Sequence, residues 1–498
     1  MFTSKKSIYV LFLAAISLCG CSQREEFLND SISENAFTDS ANVIFRLQAN
    51  TSATVRSAED SYTHVQGTAE EYQVNNARVY LFDSPSKLFV KSVLLTNLKR
   101  SGTDANGNII YETEHVSVPQ GTYDIFVTAN TGRMIDKKTE AEFLADIDEQ
   151  TYIRGGITDI SNGVVMTNRA TDNLGTVIVN NAEDKDNVVN IFLERVLARI
   201  DVAKNADSFS LTDDNSRQYA SVSLDGYYIV NLPKRYYSFR HTAVLTTLEE
   251  PTWSLAENFG NIKDVNGYVI DPYFFKKTLD AANFRNPDKY FENFFGDYSN
   301  PNAVAWTSFK AAENGTPQYN TMYSLENCAM APTQKNGYST GIIFKATLSP
   351  YNNVYHLAAN GDLELVSETN YPEVLYYFNY KFYDSAEALA AAAGGNVGTD
   401  NQDLYQAQTF EKDDDNLYHC YYAYWIRHLD NFKPTEMGVM EFAIVRNNLY
   451  RLLITNVSRL GSQVLPVDPD TPDEGDTYLK VVLNVKPWIV RDLTNIVL

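Results

Sequence analysis

From Asn42 to Arg56 apolar and polar side chains alternate without a break. Val43, Phe45, Leu47, Ala49, Thr51, Ala53 and Val55 fall on one side, and Ile44, Arg46, Gln48, Asn50, Ser52 and Thr54 on the other. A period of two predicts a β-strand with one buried face. At about 3.3 Å per residue the positions from Val43 to Val55 span roughly 43 Å, longer than most strands of globular domains. A strand this long, tethered only through the polar stretch Ser22 to Ser40, has little topological entanglement. It reads as removable, held in place by Val43, Phe45, Leu47 and Val55.

Further strands are predicted along the rest of the chain, separated by turn-forming clusters. Ala77 to Phe82, Leu88 to Leu95, Asn108 to Glu112 and Gly121 to Thr128 read as an antiparallel meander. The apolar run Val188 to Val202 is expected to pair with Ala220 to Val230. Strands follow at Gly341 to Leu348, Leu375 to Phe382, Tyr418 to Ile426 and Leu449 to Val457, with a final apolar pair after the loop Pro466 to Asp476. Helical patterns are short: Lys138 to Asp148, and Ser385 to Ala393 ended by Gly394-Gly395. A domain boundary is expected near residue 190.

The N-terminus adds an export signal. Lys5-Lys6 precede an apolar run from Ile8 to Leu18, too short to span a bilayer. Leu18-Cys19-Gly20-Cys21 then fits a lipoprotein box in which residues 1–20 are removed and Cys21 becomes the acylated N-terminus; Cys19 lacks the small residue before it. The net charge is −22, and losing Lys5 and Lys6 makes it two units more negative. Such a chain repels nucleic-acid phosphates and anionic lipid, so no nucleic-acid partner is expected and the membrane is contacted only through the lipid. With 498 residues there is material for two or more domains. Past the signal only Cys328 and Cys420 remain, too few for a disulfide framework.

Catalytic and metal chemistry finds little support. His419, Cys420 and His428 form one tight group of soft ligands, but Tyr418 to Ile426 reads as a strand, which sends His419 and Cys420 to opposite faces. The glycines after Ala390 lack the Lys and Ser/Thr of a phosphate loop and suit a helix end instead. Asp413-Asp414-Asp415 and Asp468 to Asp476 have no spaced oxygen-ligand pattern and read as solvated loops. No cofactor, no metal and no enzyme activity are expected.

Four pieces taken in order carry a family resemblance. They are Leu193-Glu-Arg-Val-Leu-Ala-Arg-Ile-Asp-Val202, Tyr421-Tyr-Ala-Tyr424, Val445-Arg-Asn-Asn-Leu-Tyr450 leading to Leu460-Gly461, and Val481-Val-Leu-Asn-Val-Lys-Pro-Trp488. Together they resemble the fimbrillins, subunits of Bacteroidales type V pili, nearest to the short-fimbria (Mfa-type) major subunit and FimA-like. The resemblance implies a mainly β chain of two transthyretin-like antiparallel β-sandwich domains with a few short helices. Residues 1–20 would be signal, 21–56 a lipidated propeptide carrying the removable strand, 57–190 the first domain and 191–498 the second. It also implies a lipid-anchored precursor in the outer membrane that later joins a surface fimbrium. The expected partners are other copies of the chain, accessory pilus subunits, an arginine-specific protease and host or bacterial surface ligands.

The processing site is expected at Arg56, followed by the polar Ser57-Ala-Glu-Asp-Ser61; Arg46 is the alternative, but it sits inside the strand, where a sheet would hide it. By the same resemblance the C-terminal segment donates a strand to a neighbour, through Ile489, Val490, Leu493, Ile496, Val497 and Leu498. Its alternation is poorer than that of the first strand, so the inserting face stays open. A surface glycan-binding lipoprotein is the competing reading, since abundant aromatics stack on sugars, and a secreted β-sandwich enzyme is a third.

Overall fold

The structure is a computed structural model that describes residues 40–49, 67–104, 108–150, 152, 159–168, 177–179, 187–244, 252–254, 267–274, 277, 289–297, 301–330, 333–394, 407–428, 437–438, 440–465, 468–473 and 479–487. The first fourteen strands in chain order are β1 (Ser40–Ala49), β2 (Ala77–Asp83), β3 (Phe89–Leu95), β4 (Lys99–Thr103), β5 (Ile109–Glu112), β6 (Val116–Pro119), β7 (Gly121–Ala129), β8 (Ile147–Glu149), β9 (Met166–Asn168), β10 (Val177–Val179), β11 (Asn187–Arg195), β12 (Ala198–Lys204), β13 (Phe209–Thr212) and β14 (Gln218–Val230). Among the described residues three α-helices are present, all short: α1 (Ala69–Tyr72), α2 (Glu140–Leu144) and α3 (Ala386–Ala392). The chain is mainly β, as its β-branched and aromatic runs favour.

The first sheet runs β3-β2-β7-β9-β11-β1-β5-β4, with β10 on β7 and β6 on β1. Its inward side chains, among them Val79, Leu81, Val118, Ile125, Val127, Val189 and Ile191, share one core with Val43, Phe45 and Leu47. The expected meander does not form. β2 pairs with β3 and β7, whereas β5 joins β1 and β4.

The run from Val188 to Val202 is two strands, broken at Val196-Leu197 where the chain changes sheets. β12 pairs with Asn320–Ser324 and, in parallel, with Asn448–Val457, and not with β14. The strand Leu479–Pro487 completes that four-stranded sheet. A second sheet runs β13, β14, Gly341–Pro350, Tyr418–Trp425, and side chains of both sheets fill a common core that includes Ile200, Val222, Phe344, Tyr422 and Tyr450. This is a sandwich. A smaller sheet between Val354 and Glu411 carries α3, which Ser385 caps through the Ala388 amide and Gly394 ends at φ +79°.

Two other elements differ from the sequence reading. The helix expected over Lys138 to Asp148 is confined to α2 by a Thr139/Glu142 capping box at one end and by pairing of β8 with Arg235–Tyr237 at the other. Leu375 to Phe382 is a hairpin, Val374–Phe378 against Lys381–Tyr383, whose turn residues Asn379 and Tyr380 both have positive φ.

Candidate functional site

The period-two pattern of the first strand becomes a buried and a half-open face. Along β1, Ala41, Val43, Phe45, Leu47 and Ala49 are buried, each no more than 2% exposed, while Ile44, Arg46 and Gln48 are intermediate. Its position is central. On one side it runs parallel to β11, from Val43 opposite Asn187 to Ala49 opposite Leu193. On the other it is antiparallel to β6 and then to β5, from Ser40 opposite Pro119 to Ala49 opposite Ile109. Thr113 closes the gap between those two strands: the Phe45 amide donates to Thr113 Oγ1 (3.0 Å) and the Thr113 amide to the Phe45 carbonyl (3.1 Å).

β1 is therefore a strand with neighbours on both flanks and one face in the core. Taking it out would leave β11 on one bank and β5 and β6 on the other, each with an unpaired row of backbone groups above an apolar floor. That is a template for an added strand. Burial of Val43, Phe45 and Leu47 contributes roughly 1.5–3 kcal/mol each. A replacement strand with similar side chains would recover most of it.

Arg46 lies in mid-strand, its guanidinium paired with Glu112 across the β1–β5 ladder. A protease needs extended, accessible chain, and the peptide bond after Arg46 is locked between two neighbours. Cys21, Val55, Arg56 and the expected donor residues Ile489, Val490, Leu493, Ile496, Val497 and Leu498 lie outside the described residues. The chain leads toward that donor segment through Leu479–Pro487, which is antiparallel to Asn448–Val457. The two described cysteines are free and buried in separate clusters, and burial pushes the Cys420 thiol up to about 12.

The polar residues of the quoted pieces come together in a buried ionic network that sequence reading did not foresee. Glu71, in α1, is fully buried. It accepts from Arg199 Nη1 at 3.1 Å and from the Tyr323 hydroxyl at 2.8 Å, and its backbone carbonyl accepts from Arg195 Nε. Arg199 also grips Asp201, which takes a further bond from Arg451 Nη2 (3.0 Å). Nearby, Arg240 pairs with Glu194 (2.9 Å) and Arg446 with Glu326 (2.8 Å), and Arg446 donates to the Tyr237 carbonyl (2.7 Å). Burial pulls the Arg195 guanidinium down to about 10. Burial opposes charge on Arg199 too, but Asp201 and Glu71 outweigh it and hold Arg199 above its ordinary value. The network ties α1 and β11, beside the β1 slot, to β12 and the strands that flank it. The signal was present in the sequence as charges embedded in an apolar run, Glu194, Arg195, Arg199 and Asp201.

Residues 41–212 match the family model described as "Major fimbrial subunit protein (FimA)", and residues 416–494 match "Major fimbrial subunit protein type IV, Fimbrillin, C-terminal". The first match begins within β1. No curated protein matches the chain in sequence. Among solved structures, a fimbrilin from Porphyromonas gingivalis W83 is 14% identical, with 90% of this chain and 98% of that one covered and a TM-score of 0.41. The tip fimbrial protein Mfa3 of Porphyromonas gingivalis, with a C-terminal truncation, is 11% identical, with 89% and 99% covered and a TM-score of 0.33. The fimbrial anchor protein Mfa2 from the same organism is 13% identical, with 91% and 100% covered and a TM-score of 0.25.

Proposed function

Because the chain belongs to the fimbrillins, the FimA-type major fimbrial subunits of the cell-surface fimbrium, we propose that it is a stalk-type structural subunit of a type V pilus serving adhesion. The family is one of structural subunits, which is not an enzyme class. In this reading the precursor is exported as a lipoprotein acylated on Cys21 and held at the outer membrane. An arginine-specific protease cuts after Arg56 and releases residues 21–56 together with β1. What remains is two transthyretin-like sandwiches, divided where the chain passes from β11 to β12. The opened slot takes the C-terminal segment of the next copy, through residues among Ile489, Val490, Leu493, Ile496, Val497 and Leu498.

One observation carries this proposal: the strand on the N-terminal side of the cut is the strand between β11 and β5/β6, with its apolar face in the core. A single cleavage thereby turns a filled sheet into a receptive one. Arg56→Ala should leave a lipidated, monomeric, full-length protein. N-terminal sequencing of wild-type assembled material should begin at Ser57. A start at Leu47 would move the cut to Arg46, and polymerisation of Arg56→Ala with β1 in place would overturn the reading.

A further inference from the structure

Lys277 is fully buried, which a lysine rarely is unless its ammonium is engaged. Its Nζ lies 2.8 Å from Asp271 Oδ2 and 2.8 Å from Asn327 Oδ1, and both of those residues are buried as well. The surroundings are apolar: the Phe291 ring sits 6.0 Å from Nζ, and Val269, Ile270 and Phe274 share a cluster with Cys328, the neighbour of Asn327. The two partners are held firmly. Asp271 Oδ1 accepts from the Tyr273 amide and Oδ2 from the Cys328 amide, both at 2.7 Å. Asn327 exchanges backbone bonds with Ile444, at 3.0 and 2.8 Å. Its Nδ2 faces the Tyr338 carbonyl (2.8 Å), Thr340 Oγ1 (2.9 Å) and the Asn231 carbonyl (3.3 Å), which fixes Oδ1 on the side of the lysine. Those are three acceptors around an amide nitrogen that carries two hydrogens.

A primary amine, a carboxamide and a carboxylate fixed together in an apolar pocket are the components of an amide exchange. With Nζ 2.8 Å from Oδ1 and a C=O bond of about 1.2 Å, Asn327 Cγ stands about 3–4 Å from Nζ, close to near-attack range. We propose that Lys277 and Asn327 become joined by an isopeptide bond, Nζ to Cγ. Asp271 takes one proton from the Lys277 ammonium, and the freed lone pair attacks Cγ. The Cγ–Nδ2 bond then breaks. The leaving nitrogen takes a second proton from Nζ and the one held by Asp271, departs as ammonium, and leaves Asp271 a carboxylate again. Atoms and charge balance, since an ammonium and a carboxamide become a substituted amide and an ammonium, and nothing is oxidised or reduced. The three acceptors around Nδ2 suit that product, which brings more hydrogens than the amide it replaces. The bond ties the chain just beyond Gly267–Ile270 to the chain just beyond Asn320–Ser324, a strand of the sheet that ends at Leu479–Pro487. It closes a loop across 50 positions, a covalent staple within the subunit whatever fills the β1 slot.

Peptide mapping by mass spectrometry tests this on the purified full chain, denatured and digested with trypsin. The expected product is one branched peptide that holds both Lys277 and Asn327, resists cleavage after Lys277, and is lighter by one ammonia molecule than its two linear parts. Recovery of the two residues in separate linear peptides of full mass overturns the bond. The wild-type digest decides this by itself, so the test does not depend on any variant folding. Asp271→Ala addresses the proton carrier: loss of the branched peptide is expected, and its formation at the wild-type yield overturns the role given to Asp271.

Discussion

Phe45→Ala separates a strand that stabilises only the precursor from one that stays in the fibre. Phe45 is 1% exposed and sits in the core of the first sheet. Its backbone bonds with Thr113 survive the substitution, so the loss is that of the ring alone. Removing a buried phenylalanine ring costs about 3–5 kcal/mol. At about 2–4 °C per kcal/mol, the transition of the first sheet in the precursor should fall by roughly 6–20 °C. Calorimetry of the uncut precursor measures this directly. The same scan on protease-treated, assembled material should find no difference between variant and wild type, because Phe45 has left with the propeptide and a partner's strand occupies its place. An equal fall in the assembled form would mean that β1 remains in the mature subunit.

Glu71→Gln removes the buried charge that Arg199 and Tyr323 share and should cost about 3–5 kcal/mol, read as a lower midpoint in urea unfolding. A midpoint unchanged within error would mean that the network contributes little to holding α1 against the second sheet system. Asp473 accepts from Ser339 Oγ, and burial pushes its carboxyl up to about 8. An ordinary aspartate titrates near 4 in the unfolded chain, so folding takes up a proton between about pH 4 and 8, and stability is lost as pH rises across that window. Asp473→Asn should therefore raise the melting temperature more at pH 8 than at pH 5, and an equal gain at both would show that the carboxyl is already ionised in the folded protein.

Alternation made β1 legible, because a period of two holds over Val43 to Ala49 whatever lies on either side. The run Val188 to Val202 was harder: both halves, on either side of Val196-Leu197, are apolar and β-rich, so the run reads as one strand, and it does not name Asn320–Ser324 and Asn448–Val457 as partners. Those pairings are set by tertiary packing over long sequence separations. Asn379-Tyr380 hid a hairpin because tyrosine is a poor signal for a positive φ. Glu71 could not be linked to Arg199 from sequence at all, since the pair is 128 positions apart. The slot's strand was legible and its banks, β11 on one side and β5 and β6 on the other, were not, because banks are defined by register and register needs the fold.

The central claim is that the C-terminal segment of one copy fills the slot that β1 leaves in the next. Its most direct measurement is unheated SDS electrophoresis of precursor treated with an arginine-specific protease, comparing the intact chain with one lacking Leu493 to Leu498. The intact chain should give a ladder of SDS-resistant oligomers. The truncated chain should be cut at Arg56, stay monomeric, and cap the ladder when mixed with intact copies, since it receives a strand and donates none. A ladder from the truncated chain as long as that from the intact one would contradict donation from this end.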